Sequence, residues 1–392
     1  MLQTAPLPRP PRSHRRPPRR RRALLIVLVV AALLLTPVGV SYTRALSAPG
    51  SATLAVRTVE WLRDHGVGPV VDIVENWVYA HNQATAAAPD PSALPQVDGA
   101  TTDGGPQPDA LPLPGGGQLP GEARWSATAA AVGGVHPLYT AYFRPDPATP
   151  SLVAGVAWMN QSLVRAHLFA GTVDPVPPGS DPPADTAGGQ VPTDLRANLL
   201  ATFNSGFKLK DSRGGYVVDG REIVPPVDGA ATAAIDRAGH ISIGQWGRDL
   251  GPRPDLVAVR QSLALIVDDG APVPGLGDNM NDAWGTAHNQ LQYTWRSGLG
   301  LDRRGDLVYL AADHLSLAEL AIAMGSAGVV RGMQLDIHPP TVGFFSYGPG
   351  AAQQAGAHGT RLLPAMRPAD TRYLQPDQRD FFAITTVGAN PP

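Results

Sequence analysis

Residues 296–340, RSGLGLDRRGDLVYLAADHLSLAELAIAMGSAGVVRGMQLDIHPP, carry the signals of a strand, a tight turn, a second strand, a capped helix and a third strand. A turn is predicted at 302–305, because Gly305 takes a positive φ without a steric penalty. The runs 299–301 and 307–310 on either side are rich in Leu, Val and Tyr, which favours strands. This part of the chain is therefore expected to begin as an antiparallel hairpin.

The second half of the stretch predicts a helix that leads back into a strand. Ser316 and Glu319 have the spacing of a capping box, and apolar residues at helical intervals follow them. A strand expected at 329–335 then brings Asp336 and His338 to a Pro-Pro turn. Because strand ends hold side chains on a rigid scaffold, this turn is a candidate functional site.

Composition narrows the class of protein. The chain has 392 residues, of which 43 are Gly and 41 are Pro, and only 16% are charged. These values favour short strands separated by many turns. The chain has no cysteine, which excludes thiolate catalysis and cysteine-ligated metals and leaves no disulfide from which to infer the compartment.

The charges separate a basic tail from an acidic body. Residues 1–22 contain eight arginines and no acid, whereas the rest has 23 basic and 33 acidic side chains, a formal charge of −10. The acidic body argues against nucleic-acid binding, which needs a basic face.

The apolar run 23–40 has about the length of one membrane thickness and no charge. We expect it to be a transmembrane signal-anchor in the cell membrane, with the basic tail in the cytoplasm and the C-terminal domain outside. A cleaved signal peptide is the alternative, and it also places the body outside the cell.

Beyond the apolar run, the chain is expected to form juxtamembrane helices, a linker and a domain. Residues 41–83 include helical patterns at 51–65 and 70–81, interpreted as a short stalk or helical pair. Residues 84–122, rich in Pro, Ala and Gly, are expected to be a flexible linker. Short β-like runs between turns fill 123–392, which predicts an α+β domain with a mainly antiparallel sheet and a few packed helices.

The common catalytic signatures are missing from the sequence, including the G-x-S-x-G elbow, the H-E-x-x-H zinc motif and the phosphate-binding glycine loops. Instead, polar residues lie beside glycines. Asn204-Ser205-Gly206-Phe207 follows an apolar run, Asp219-Gly220 ends a predicted strand, and Arg296 opens the hairpin.

The order of these elements resembles the phosphodiester glycosidase family, relatives of the enzyme that uncovers mannose 6-phosphate by removing N-acetylglucosamine. That family typically shows an N-G-G-F element, a D-G turn, an R-[ST]-x-x-G-x-D-x-x-G hairpin, a helix beginning near [ST]-L-x-E-L-A, and an L-D-G-G element. The matching segments here are 204–207, 219–220, 296–305, 316–321 and 335–336. The anchored, Pro/Ala-rich architecture also looks like that of exported actinobacterial members associated with exopolysaccharide.

Two positions depart from the family pattern. Ser205 stands in place of a glycine, and Ile337-His338-Pro339-Pro340 stands where the family has a pair of glycines after the aspartate. If those glycines let the backbone approach a sugar or phosphate, this loop must bind in another way or not at all.

The resemblance implies hydrolysis of a sugar-1-phosphodiester in cell-envelope or extracellular polysaccharide. This reaction needs a carboxylate to support an oxocarbenium-like transition state or to activate water, and donors around the phosphate. Asp336 is the expected carboxylate, Arg296 the clamp on phosphate or sugar, and Asn204 a positioning amide. His338 is a candidate acid or base.

The substrate, a glycan or sugar phosphate, is expected to contact Gly206, Phe207, Lys208 and Asp219. No metal and no cofactor are expected.

Several alternatives remain at this level. Arg296 can instead pair with Asp302 across its hairpin, and the domain can bind envelope glycan without cleaving it. A metal-dependent hydrolase would combine Asp336 and His338 with Asp313 or His314. Three tryptophans are candidates either for stacking on sugars or for core packing, namely Trp246, Trp284 and Trp295.

Overall fold

The computed structural model describes residues 19–48, 52–96, 105–113, 118–175, 188–278, 283–285 and 292–387. Within these ranges the expected α+β class is confirmed, because short antiparallel strands dominate and few helices pack on them. The helices are α1 Arg19–Ser47, α2 Leu54–Leu62, α3 Gly68–Ala80, α4 Leu209–Ser212 and α5 Leu317–Ser326.

The described part of the chain contains 18 strands. They are β1 Ser126–Ala127, β2 Leu138–Phe143, β3 Ala154–Met159, β4 Val164–Phe169, β5 Leu199–Asn204, β6 Tyr216–Val218, β7 Arg221–Val224, β8 Ala231–Asp236, β9 Ile241–Gln245, β10 Leu256–Gln261, β11 Leu265–Asp268, β12 Ala271–Pro272, β13 Thr294–Leu301, β14 Leu307–Leu315, β15 Arg331–Ile337, β16 Phe344–Ser346, β17 Thr360–Arg361 and β18 Phe381–Thr386.

The segment 296–340 lies at the centre of the largest sheet. This sheet has eight strands in the order β1-β2-β3-β14-β13-β15-β11-β12. β13 pairs antiparallel with β14 on one side and with β15 on the other. The predicted hairpin is confirmed, since Gly305 lies in the turn between β13 and β14 with φ +84°.

Helix α5 begins and packs as its sequence predicts. The Ser316 side chain accepts from the backbone of Glu319, and the Glu319 side chain accepts from the backbone of Ser316, so the capping box is complete. The helix buries its apolar residues against the eight-stranded sheet. Gly298 of β13 allows this close approach, because a Cβ there would lie 2.3 Å from Sδ of Met324.

The main core lies on the other face of the eight-stranded sheet. Two five-stranded sheets cover that face, in the orders β7-β6-β10-β8-β9 and β17-β16-β5-β18-β4. The second of these brings β5 and β18 side by side and antiparallel. The residues that flank β5 and β18 therefore meet beside the end of β15.

The N-terminal helices differ from the expected stalk in where they lie. Residues 26–47 of α1 are long and apolar enough to cross a membrane, although a signal sequence satisfies the same criterion. α2 is shorter than the helix predicted at 51–65, whereas α3 agrees with the helix predicted at 70–81 to within two residues at each end. A tight turn in which Gly66 has φ +84° joins them. Both helices contact the domain, as described below.

The segment 84–122, expected to be a flexible linker, lies against the domain over part of its described length. Leu111 is buried, and Leu94 and Leu119 pack on the core. Glu122 forms a buried ion pair with Arg144 at 2.7 Å. A few apolar side chains therefore hold parts of this Pro/Ala/Gly-rich segment against the domain. The composition of the segment did not indicate this contact.

Candidate active site

Asp336 lies at a β-bulge near the end of β15. The register with β13 shifts here, so that Leu335 and Asp336 both oppose the single residue Ser297. Such a bulge bends the strand and redirects a side chain. The backbone N–H of Asp336 donates to the carbonyl of Ser205 at 2.9 Å, which ties the end of β15 to the loop that follows β5.

The carboxylate of Asp336 is buried and paired. Its Oδ2 lies 2.9 Å from Nη2 of Arg379, and its Oδ1 accepts from the backbone N–H of Ile337 at 3.0 Å. Burial raises the pKa of Asp336 above its usual value, and the positive charge of Arg379 opposes that rise. An acid with a raised pKa in a cleft has the character of a catalytic group.

Asn204 is a buried connector and does not contact the cavity described below. Its side-chain N–H donates to Oγ of Ser297 at 2.9 Å, and that hydroxyl donates to the backbone carbonyl of Asp336 at 2.9 Å. Its Oδ1 accepts from the hydroxyl of Tyr309 at 2.9 Å and from the backbone N–H of Gly343 at 3.1 Å. Asn204 thus joins four strands or their ends around Asp336.

Arg379 and Asp380 precede β18 and were not singled out by the sequence. Arg379 donates to the carbonyl of Gly206 at 3.1 Å as well as to Asp336. Asp380 pairs with Nε of the fully buried Arg260 at 2.7 Å, and Arg260 donates to the carbonyl of Phe207. The two neighbouring charges therefore hold the loop after β5 against Asp336. An Arg-Asp pair just before a run of aromatic residues was the only sequence signal for them.

Arg296 is buried at the start of β13 and lines the cavity. Its guanidinium donates to the carbonyls of Leu315 at 2.9 Å and Gln292 at 3.1 Å. Among the described residues no carboxylate lies within ion-pair distance, and the alternative pairing with Asp302 is wrong because Asp302 lies beyond the far end of β13. Burial lowers the pKa of Arg296 to about 10, so the side chain is still charged at neutral pH. A buried cation without a carboxylate partner can receive an anion.

His338 occupies the position of the second family glycine and keeps a glycine-like backbone, with φ +80°. Its Nδ1 lies 3.3 Å from Oγ1 of Thr294, and its ring stacks on Tyr79 with centroids 5.0 Å apart. Burial, with the charges of Arg63 and Arg296, lowers the pKa of His338 to about 3. The imidazole is therefore neutral near pH 7 and unsuited to donate a proton there.

A cavity of about 700 Å³ lies over these groups, and α2 and α3 form its roof. The floor includes Asp336, Arg296, His338, Arg379 and Phe207. The roof contributes side chains from both helices, among them Val56, Val59, Glu60, Arg63, Glu75 and Tyr79.

An ion pair joins roof to floor at one edge of the cavity. Nζ of Lys208 pairs with the carboxylate of Glu60. Burial by itself would raise the pKa of Glu60, but Lys208 lowers it to about 2. Glu60 thus adds an ionised carboxylate to the cavity opposite Asp336. The sequence offered no sign of this role, because Glu60 lies in a helix interpreted as a stalk.

The remaining expected contacts divide between the cavity and other places. Phe207 and Lys208 line the cavity. Gly206 lies just behind it, where a Cβ would meet the side chain of Ser262 at 2.8 Å, and its carbonyl holds Arg379. Asp219 is exposed in the β6–β7 turn with φ +51° and does not line the cavity.

The other candidates are placed as follows. Trp284 lines the cavity, whereas Trp246 and Trp295 are buried in apolar clusters. His314 contacts the carbonyl of Asn82 at 2.8 Å and lies outside the cavity, next to Asp313. In the part of the chain that the structure describes, no group of three or more His, Asp or Glu side chains could hold a metal ion.

Comparison with known families agrees with this arrangement. A family model described as phosphodiester glycosidase matches residues 197–336. The match begins just before β5 and ends at Asp336, so it covers Asn204, Lys208 and Arg296 and leaves out Arg379 and the helical roof. Residues 197–336 of this chain are therefore similar to the phosphodiester glycosidase family.

Weaker similarity is found to solved structures. The catalytic domain of zebrafish N-acetylglucosamine-1-phosphodiester alpha-N-acetylglucosaminidase, auto-inhibited by its pro-peptide, is 13% identical with a TM-score of 0.40, over 66% of this chain and 86% of that one. A hypothetical protein from Synechocystis is 11% identical with a TM-score of 0.33, over 60% of this chain and 59% of that one. No curated protein matches the sequence.

Proposed function

We propose that this chain is a membrane-anchored, exported hydrolase that cleaves a glycosyl phosphodiester of the cell envelope or an extracellular polysaccharide. The observation that carries the proposal is the cavity in which one buried carboxylate, Asp336, lies among the cations Arg379, Arg296 and Lys208. The phosphodiester glycosidase family of residues 197–336 supports the same reaction class.

The proposed chemistry needs little help for the leaving group. A phosphate monoester leaves far more readily than a sugar alcohol, so the main requirement is a carboxylate that stabilises the oxocarbenium-like transition state or activates water. Asp336 supplies it. Arg296 receives a phosphate oxygen, because it is a buried cation and no carboxylate of the described residues lies within ion-pair distance of it. Asn204 and Arg379 hold the acid in place.

The proposed topology follows from the N-terminus. The apolar part of α1 is long enough to span a bilayer, and eight arginines precede it. Such a charge bias keeps the short tail in the cytoplasm and places the domain outside. The proposal therefore assigns the substrate to the outer side of the membrane.

The test is turnover of a sugar-1-phosphodiester by the wild-type protein and by Asp336→Asn, each with and without chelator. We expect the wild type to turn over in both conditions and the variant to be slower by about 10²–10⁴-fold. An unchanged unfolding transition in the variant controls for folding. An Asp336→Asn variant at full rate would contradict the assignment, and loss of wild-type turnover on chelation would favour the metal-dependent alternative.

A second function, binding of envelope glycan without cleavage, has one observation in its favour. Ile337, His338, Pro339 and Pro340 line the cavity where the family has a pair of glycines, so bulky side chains occupy space beside the acid. Glycan binding by the wild type without any turnover would support this function over hydrolysis.

A further inference from the structure

Helix α3 presents its apolar side to the outside and its polar side to the protein. Val70, Ile73, Val74 and Trp77 are 59%, 68%, 55% and 70% exposed, at i, i+3, i+4 and i+7 spacing. The opposite side carries Glu75, Asn76 and Tyr79, which line the cavity. A helix on the surface of a water-soluble domain has the reverse arrangement. The exposed stripe 70–77 therefore needs an apolar partner.

The start of α3 is held beside the end of the apolar run in α1. Ser41 directly follows the apolar run 23–40 and lies six residues before the end of α1, and its Oγ is 3.0 Å from Nε2 of His65 in the α2–α3 turn. Tyr42 packs edge-on against Trp61 with ring centroids 5.1 Å apart. Tyr and Trp are the residues enriched where a membrane helix leaves the hydrocarbon core. If α1 spans a bilayer, the turn that begins α3 lies at its surface.

These two observations select a bilayer as the partner of the stripe. The turn that begins α3 is held against α1, and the stripe contains a highly exposed tryptophan. Amphipathic helices of this kind lie in the interface plane with the apolar side in the lipid. A soluble protein partner would not require the adjacent anchor.

The cavity under α3 has an apolar wall and a charged floor, a combination that can bind an amphiphile. One wall is apolar and comes from Ala55, Val56 and Val59 of α2, whereas the floor carries Arg296 and Arg379 beside Asp336. An apolar chain and a phosphodiester can therefore be accommodated side by side in about 700 Å³.

We propose that the stripe 70–77 of α3 lies in the outer leaflet, and that the cavity beneath it takes a glycosyl phosphodiester whose alcohol is a membrane lipid. The substrate part of this inference rests on the proposed function, whereas the placement of α3 is independent of it. A site held against the bilayer meets a lipid-borne substrate by lateral diffusion, and the sugar end projects toward Asp336.

The first experiment measures the placement of α3 in the full-length protein reconstituted in phosphatidylcholine vesicles. The chain has no cysteine, so Ile73→Cys provides a single position for an environment-sensitive fluorophore. We expect strong quenching by lipids that carry a nitroxide near the headgroup. Arg303→Cys is the control, in the exposed turn at the opposite end of β13 from the cavity. Quenching at residue 73 no greater than at residue 303 would overturn the placement.

The second experiment compares two substrates in the same vesicles, a sugar-1-phosphodiester of a long-chain polyisoprenol and one of a short water-soluble alcohol. Ile73→Glu should lower turnover of the lipid-borne diester about tenfold and leave the soluble diester within about twofold, because only the first depends on insertion of the stripe. Val227→Glu, a charge at an exposed apolar position 46% accessible in the loop before β8, should change neither rate.

The remaining outcomes separate the two proposals. If Ile73→Glu loses turnover equally on both substrates, or on neither, the role of the stripe is overturned. Wild-type turnover of the soluble diester alone would overturn the lipid-borne substrate and leave the proposed function standing. No wild-type turnover of either diester would remove the proposed function and the substrate with it, whereas the quenching result would still decide where α3 lies.

Discussion

At the scale of single residues, the ionisation of Asp336 depends on one neighbour. Burial raises the pKa of this carboxyl group, and the guanidinium of Arg379 at 2.9 Å is the main opposing influence. The same contact keeps the pKa of Arg379 above its usual value, against the effect of burial. Arg379 thus lowers the pH at which the acid becomes charged.

Replacing Arg379 should move the acidic limb of the activity profile. In Arg379→Gln the pKa of Asp336 rises further, so an activity that requires the ionised carboxylate falls off at a higher pH than in the wild type. The measurement is kcat/KM against pH. Arg248→Gln, which removes a surface arginine paired with Asp249 and Asp268, is the control and should leave the limb in place. An unmoved limb in Arg379→Gln would contradict the role of Arg379.

His338 should make the fold sensitive to acid. Its folded pKa of about 3 lies below the value of about 6.5 for an unfolded chain, so between these values only the unfolded chain binds the proton. The free energy of unfolding therefore decreases as pH falls from about 6.5 toward 3. Asn tolerates the positive φ at this position. The free energy of unfolding of His338→Asn should therefore fall less on acidification than that of the wild type, by on the order of a few kcal/mol.

Chemical denaturation of the detergent-solubilised protein at pH 7 and pH 4.5 measures this effect. His240→Asn, at an exposed turn, is the matched control and should keep the wild-type pH dependence. A His338→Asn variant with the wild-type pH dependence would show that the histidine is not held neutral. His167, whose pKa burial also lowers, to about 4, contributes in the same direction and is unchanged in both variants.

At the scale of elements, the contact between α5 and β13 depends on a missing side chain. The helix lies so close to the sheet that a Cβ at residue 298 would meet Sδ of Met324 at 2.3 Å and the backbone oxygen of Met333 at 3.2 Å. The family motif has a variable position at this point, so the glycine here serves packing in this chain.

Gly298→Ala should destabilise the protein by about 1–3 kcal/mol, because an added methyl group overpacks the contact. The measurement is the free energy of unfolding. Combining it with Met324→Ala should cost less than the sum of the two single changes, since the smaller side chain makes room. Gly325→Ala on α5, where the nearest atom is 3.5 Å away, should not destabilise. Strict additivity in the double variant would contradict the steric explanation.

At the scale of the whole molecule, the helical roof and the domain are joined across the cavity. Glu60 and Lys208 are 148 residues apart in the chain and form an ion pair at the edge of the cavity. A neighbouring pair, Asp64 and Lys210 at 2.8 Å, is far more exposed. Both pairs connect the helical roof to the segment around α4, and the first is the less exposed of the two.

Glu60→Gln should strengthen binding of an anionic substrate. The change removes a negative charge and releases Lys208, so KM for a phosphodiester should fall severalfold, on the order of 2–10-fold, with a larger effect at low salt. Asp255→Asn, which breaks the exposed pair with Arg253 at 3.1 Å outside the cavity, is the control and should change KM little, because exposed pairs contribute little. A raised KM in Glu60→Gln would show instead that Glu60 itself contacts the substrate.

Much of the local structure was predictable from the sequence. The Asp302–Gly305 turn, the capping box of Ser316 and Glu319, and the strand that carries Asp336 depend on residues close in the chain. For that reason propensity and periodicity were sufficient. The helices at 54–62 and 68–80 were also predicted, with ends that differ by a few residues.

The sequence by itself determined the apolar N-terminal run, the α+β class and the motif order that ends in Asp336, because each depends on residues that are close together in the chain. Only the tertiary structure decided which charges surround that acid. Arg379 reaches Asp336 because β18 pairs with β5, and Glu60 reaches Lys208 because α2 folds back over the sheet. Such contacts depend on long-range strand pairing and on which side of a helix faces the protein. In α3 that side is the polar one, which is the opposite of what the periodicity of a soluble helix predicts.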